Sequence, residues 1–253
     1  MKNEQFNLGL VSVSFRQHTP QEILEAAQKA GISFIEWGSD IHAPCHDTER
    51  LMEIAALQRE YGVTCSSYGT YFRLGETPVE ELRHYIAAAK LLRTDVLRLW
   101  GGKKSGAELT EAEKQALLAQ CLEAEKIARE ENVTLCMECH KKTLTERLPD
   151  AIALMERVNS PHFRMYWQPF QWQSEAENLV YAQAIAPYTR NIHVFQWKGN
   201  ERFSLQEGIA EWRAYLKAFS TPRTLLLEFM PDDQIESLNK EAKALKRITG
   251  ENE

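Results

Sequence analysis

An apolar run, a polar turn and a capped amphipathic helix recur eight times along the chain, and this repetition restricts the fold more than any other feature. The first unit shows the pattern. An apolar run at 8–15 leads to Thr19, which suits a helix cap, and Pro20, which suits a first helical position, and Gly31 ends the helix that follows. The same reading places strands at 8–15, 32–37, 63–68, 95–100, 133–140, 163–168, 191–197 and 223–230. Helices fall at 21–30, 47–61, 79–92, 110–131, 149–158, 174–185, 209–218 and 234–248. Eight units in 253 residues average about 32 residues each, close to the roughly 30 that a strand, crossover and helix require. Regular alternation implies a parallel sheet, and eight repeats imply a closed barrel more readily than an open sheet. A doubly wound sheet is the runner-up, but no G-x-G-x-x-G follows the first strand and Gly101-Gly102 alone is weak. No Gly/Ser-rich linker interrupts the series. Residues 1–253 therefore read as one α/β domain, a single (β/α)8 TIM barrel.

Composition narrows the partners. The formal net charge is −6, acids and bases are interleaved, and no basic block is present, which argues against a nucleic-acid partner. No window approaches the roughly 20 apolar residues of a membrane span, and the start MKNEQFNLGL lacks a leader pattern, so a soluble cytoplasmic protein with no membrane partner is expected. Five cysteines are an odd number and suggest no disulfide framework. Cys136 and Cys139 have the C-x-x-C spacing of redox and zinc sites, but no second pair follows and Glu138 stands between them. They read as small apolar wall residues.

Glu138 draws attention for another reason. It ends the apolar run VTLCMECH, and an unpaired buried carboxylate costs several kcal/mol, roughly, so it must lie at a strand mouth, be paired, or bind a cation. Barrel active sites lie at the carboxyl ends of the strands, where this chain places Glu36, Arg98, Glu138, His140, Gln168, His193 and Glu228. Glu138, Gln168, His193 and Glu228 come from the last four strands in succession. Two carboxylates, an imidazole and an amide oxygen on one axis suit a divalent cation. Each alone has a plainer reading, since His193 suits a core histidine and Glu228 a partner for Arg98.

The order MECH, YWQPF, NIHVF and LLLEF resembles the xylose-isomerase-like barrel superfamily, the sugar phosphate isomerase/epimerase family, along the whole chain. The Thr-Pro start of the first helix and the stretch SLQEG before Trp212 are similar to it as well. In ketose epimerases of that family a Glu, an Asp, a His and a second Glu hold one divalent metal, commonly manganese, magnesium or cobalt, with zinc also compatible. The resemblance implies Glu138 and Glu228 as metal ligands and as the acid–base pair, with His193 as a third ligand. Gln168 stands where those enzymes have Asp, and Gln171 where many have His. A Gln carbonyl ligates a hard cation without bringing charge, which weakens the expected site.

The implied activity is isomerisation or epimerisation of a sugar or sugar phosphate by Glu-mediated proton transfer through an enediolate. A lyase of the inosose-dehydratase kind shares the proton abstraction and differs in expelling hydroxide. A non-catalytic sugar-binding protein is the reading that Gln168 and Gln171 favour. The superfamily's apurinic endonucleases need extra His ligands on strands three and four, which read CSSY and RLW here. Secondary candidates for substrate contact are His42, Arg98, Trp100, His140, Gln171 and Lys198. Arg98 suits either a substrate oxygen or neutralisation of Glu138. Trp37, Trp100, Trp167 and Trp197 suit either sugar C–H faces or plain packing. The sequence does not set the oligomeric state; members of the family often dimerise, which leaves a homodimer open.

Overall fold

Buried parallel strands alternating with helices leave no free edge when the last strand pairs with the first, and this chain takes that solution. The computed structural model describes residues 6–219 and 223–250; the first five residues of the start discussed above lie outside them. In chain order the strands are β1 (Phe6–Val11), β2 (Phe34–Gly38), β3 (Thr64–Leu74), β4 (Val96–Gly101), β5 (Thr134–Glu138), β6 (Phe163–Trp167) and β7 (Thr189–Val194). A small antiparallel hairpin of β8 (Trp197–Lys198) and β9 (Glu201–Arg202) follows, and β10 (Arg223–Leu227) completes the set. The closed barrel runs β1, β10, β7, β6, β5, β4, β3, β2, every pairing parallel. Eight helices intervene or follow: α1 (Pro20–Ala30), α2 (Thr48–Tyr61), α3 (Leu82–Leu91), α4 (Glu111–Glu130), α5 (Leu148–Val158), α6 (Glu175–Ile185), α7 (Ile209–Leu216) and α8 (Leu238–Thr249).

Local chemistry sets the helix starts. Thr19, Thr110 and Ser174 each accept a bond from the backbone three residues on, and Glu22, Glu113 and Glu177 bond back to the cap. Gly31 and Gly62 end α1 and α2 in the left-handed region, which a residue without a Cβ enters at little cost.

The core has two layers. Val11, Val13, Val96, Cys136, Tyr166 and Leu226 form a small inner cluster, and a much larger one lies between strands and helices. Cys136 belongs to the inner cluster and Cys139 to the outer; all five cysteines are free, and burial pushes both thiols above their ordinary range. Among the described residues no helix is long and apolar enough to cross a membrane.

Several element ends differ from the pattern in the sequence, and polar side chains explain two of them. β1 stops at Val11 and residues 12–15 turn, because the Ser12 hydroxyl accepts the Gly38 amide at 2.9 Å and the Ser14 hydroxyl accepts the Phe229 amide at 2.9 Å. β3 runs past the expected end at 68 to Leu74, its register against β4 shifting between Gly69 and Arg73 as Thr70 donates to the Arg98 carbonyl at 2.6 Å. β7 ends at Val194, since Trp197 pairs with Arg202 in the hairpin instead of continuing the barrel.

Candidate active site

Residues at alternate positions of a strand share a face, so the inner cluster indicates which strand-end side chains point to the axis. Cys136 and Val96 lie inside, hence Glu138 and Arg98 two residues on; Leu226 lies inside, hence Glu228. Glu36 and His193 join them, and Gln168 follows the last residue of β6. Glu36 and His193 are fully buried, Arg98 and Glu138 are 3% exposed, and Gln168 and Glu228 are 6% and 8% exposed.

The centre is an ion-pair network. Arg98 donates from Nε to Glu36 Oε1 at 3.0 Å and from Nη1 to Glu138 Oε2 at 2.6 Å. The Trp100 indole also donates to Glu138 Oε2, so that oxygen is held twice. Glu36 has a further donor, the Ser67 hydroxyl at 2.9 Å. His193 presents its two nitrogens to different partners. Nε2 lies 3.5 Å from Glu36 Oε1 with no hydrogen-bond partner, while Nδ1 faces Gln168 Oε1 at 3.1 Å, Glu228 Oε2 at 3.5 Å and Glu138 Oε1 at 3.6 Å.

These contacts divide the carboxylates by proton affinity. Burial pushes Glu36 up, but Arg98 and then His193 outweigh it and hold the group at about 2. Glu138 is likewise held well below the usual range, burial being overcome by Arg98 and His193. Glu228 goes the other way: burial, with the neighbouring Glu138 charge, raises it despite His193 and Arg98. Burial lowers His193, yet Glu228 and Glu36 raise it to about 10. Two carboxylates, Glu36 and Glu138, are thus held as anions, and the third, Glu228, has a raised proton affinity.

Four donors converge on one spot. Glu138 Oε1, Gln168 Oε1 and Glu228 Oε2 surround His193 Nδ1 at 3.1–3.6 Å. Ligands bound at about 2.1 Å lie roughly 3.0–3.4 Å apart in octahedral or tetrahedral sites, so the spacing suits a divalent ion after slight contraction. Among the described residues no three His, Cys, Asp or Glu side chains are gathered tightly enough to enclose an ion as they stand. The charges also fit: three carboxylates against Arg98 and a dication balance with His193 neutral. The residues present therefore suit the metal that the resemblance implies.

The mouth above this centre is a cavity of about 200 Å³, walled by Trp100, Trp197, Phe195 and Phe229 and edged by His140 and Gln171. Phe229 has φ +56°, a rare backbone for an aromatic residue; it turns the chain directly after Glu228 and stacks its ring on Trp197 at 5.3 Å. Half-buried His140 sits 5.4 Å from the Trp100 ring. Lys198 is exposed on the hairpin, facing Glu175 and Glu211, and does not line the cavity. His42 does not line it either: its ring nitrogens contact Ser12 Oγ and the His18 carbonyl, both at 3.1 Å. Trp37 bonds Gln58, and Trp167 packs on Trp212, Tyr215 and Phe219. Glu36 was visible in the sequence as a strand-end acid, but nothing there disclosed its bond to Arg98. Arg16, Tyr71 and Phe229 also line the mouth without a sequence signal.

A (β/α)8 barrel with carboxylates, an imidazole and an amide oxygen converging at the carboxyl ends of its strands defines the class. Residues 24–248 match the xylose isomerase-like TIM barrel family, and the chain belongs to that family. A 3-dehydroshikimate dehydratase of Bacillus anthracis is 23% identical over 119 residues, which span 47% of this chain and 42% of that protein, less than half its length. The crystal structure of a probable 3-DHS dehydratase from the same organism gives a TM-score of 0.81 at 18% identity, covering 95% of this chain and 98% of that one. The IOLI protein with a bound zinc atom (TM-score 0.76, 15% identity, 96% and 98% covered) shares the fold. So does a D-psicose 3-epimerase of Clostridium cellulolyticum H10 (0.69, 13%, 96% and 98%). The fold is thus shared by an epimerase and a probable dehydratase.

Proposed function

We propose that this chain is a divalent-metal-dependent enzyme that removes a proton next to the carbonyl of a small hydroxylated ketone and then expels a neighbouring hydroxyl as water. The observation that carries this reading is the asymmetry between Glu138 and Glu228. Epimerisation by two bases needs one group to take a proton and another to deliver one on the opposite face. Glu138, tied to Arg98 and Trp100 and held as an anion, has no proton to deliver. Glu228, with its proton affinity raised, is the competent base.

Glu138, Gln168, His193 and Glu228 would hold the metal. A divalent ion there supplies Lewis-acid polarisation of the substrate carbonyl. Glu228 takes the proton from the adjacent carbon, and the C–H electron pair moves toward the carbonyl. The aromatic wall covers the carbon skeleton and excludes water. As the C–O bond to the neighbouring hydroxyl breaks, His140 at the cavity edge gives the leaving oxygen a proton. The dehydratase relatives support this reading.

A second reading, aldose–ketose isomerisation, is favoured by the same free base, because Glu228 alone could return the proton to the adjacent carbon. Incubating the manganese-loaded protein in D2O with ketoses, aldoses and cyclic hydroxy-ketones separates the two. Loss of water is expected, slowed by an isotope effect when the carbon next to the carbonyl carries deuterium, and Glu228→Gln should lower the rate by about a hundredfold or more. An isomerised product with no loss of water would replace dehydration with the second reading. Absence of both water loss and isomerised product across the panel would remove both.

A further inference from the structure

Phe229 follows Glu228 directly and has φ +56°, a backbone in which the Cβ is crowded and which persists only where surrounding contacts hold it. The Glu228 amide still belongs to the barrel, donating to the Val194 carbonyl of β7 at 2.9 Å. On the other flank the ladder has ended. The pairing of β1 with β10 runs from Phe6 opposite Arg223 to Leu10 opposite Leu227, and residues 12–15 then turn away. The Phe229 amide donates to the Ser14 hydroxyl of that turn at 2.9 Å. A side-chain oxygen thus stands in for the carbonyl that a continuing strand would have offered.

This bond fixes the plane of the peptide unit between Glu228 and Phe229. A planar peptide ties its amide to the ψ angle of the preceding residue, so holding the Phe229 amide restricts the backbone from which the Glu228 side chain projects. Ser14 is 4% exposed, and water competes little for the bond. The Phe229 ring packs on Trp197 with planes 14° apart, and Arg202 lies over the two rings at 5.1 and 4.7 Å. Those contacts favour the left-handed backbone from the ring side, whereas the Ser14 bond acts on the peptide unit that contains the Glu228 carbonyl. Ser12, in the same turn, serves a different strand, its hydroxyl accepting the Gly38 amide at the end of β2.

We infer that Ser14 is a positioning residue for Glu228: its hydroxyl, supplied by the turn after β1, holds the backbone that aims this carboxylate at His193 Nδ1, from which Glu228 Oε2 stands 3.5 Å away. This role rests on the reading of Glu228 as metal ligand and base given above. It adds that the site's geometry is set through the backbone by a residue 215 positions away.

Titration calorimetry with Mn2+ on the full chain, with no substrate present, tests the role. Ser14→Ala should weaken Mn2+ binding about tenfold, the size of effect that losing a partner of a metal ligand has. Ser12→Ala removes an equivalent bond from the same turn on the side of β2 and should leave the affinity unchanged, even where it lowers Tm. Unchanged Mn2+ affinity in Ser14→Ala, or equal weakening in both variants, overturns the inference, because either result reduces Ser14 to a support of the turn. Wild-type protein that binds no Mn2+ removes the metal reading itself, and the role of Ser14 falls with it; wild-type binding beside an unaffected Ser14→Ala removes that role alone. If Ser14→Ala does not fold, Ser14→Cys, similar in shape and a weaker acceptor, gives the same comparison.

Discussion

At the scale of the residue, Gln168 and Glu36 would act on the proposed ion in different ways. Gln168 offers one neutral oxygen where the resembling epimerases offer a carboxylate, so Gln168→Asp should tighten Mn2+ binding about tenfold or more. Glu36 touches no ion; it faces His193 Nε2 and so favours the tautomer whose Nδ1 lone pair points at Gln168, Glu138 and Glu228. Glu36→Gln should weaken Mn2+ binding about 10–100-fold while Arg98 keeps its bond to Glu138. Titration calorimetry reads both variants, and unchanged affinity in Glu36→Gln would reduce that residue to a structural partner of Arg98. Glu138, Gln168, His193 and Glu228 could be gathered from the sequence because each lies near the carboxyl end of an apolar run and a barrel brings strand ends together. Glu36 also ends such a run. Its role depends on a 3.0 Å contact with a residue sixty-two positions away, which no local pattern encodes.

At the scale of the element, β3 makes room for that contact. A Cβ on Gly69 would lie 2.5 Å from Glu36 Oε1 and 3.0 Å from Arg98 Nη2, so the strand passes beside the ion pair only because this position carries no side chain. Gly69→Ala should destabilise the protein by about 1–3 kcal/mol, as overpacking of a filled interior does. It should also weaken Mn2+ binding, because Glu36 must shift away from His193. Urea unfolding and calorimetry on one preparation test this, and a fully stable variant with unchanged affinity would show that the space is not needed. Elements were easier to read than their ends. The helix at 21–30 was plain from Thr19 and Pro20, and Thr19, Thr110 and Ser174 cap their helices with Glu22, Glu113 and Glu177. The turn at 12–15 and the extension of β3 follow from long-range bonds made by Ser12, Ser14 and Thr70, and an apolar run carries no sign of where such a bond will stop it.

At the scale of the whole molecule, the proton on His193 and the proposed metal would compete for one nitrogen, and global stability should report the exchange. With metal removed by a chelator, Glu228 and Glu36 raise His193 to about 10 from an ordinary value near 6.5. Between those values the folded protein holds a proton that the unfolded chain has released. Stability is then fully present below pH ~6.5 and declines as pH rises toward about 10, with a slope of at most ~1.4 kcal/mol per pH unit. The buried thiols Cys65 and Cys121, pushed by burial to about 12, add a decline of the same sign only above pH ~8.5, where unfolded cysteines ionise. The interval from pH 6.5 to 8 therefore excludes the thiols. There the Tm of chelated protein should fall by several degrees, whereas His193→Gln should stay nearly flat. Saturating Mn2+ should cancel the decline, because the ion needs the neutral ring and releases its proton on binding. The Tm gap between manganese and chelator should accordingly widen with pH in the wild type. Parallel curves for wild type and His193→Gln across this interval would show that the cluster does not hold the proton, and a gap that stays constant with pH would place the metal elsewhere.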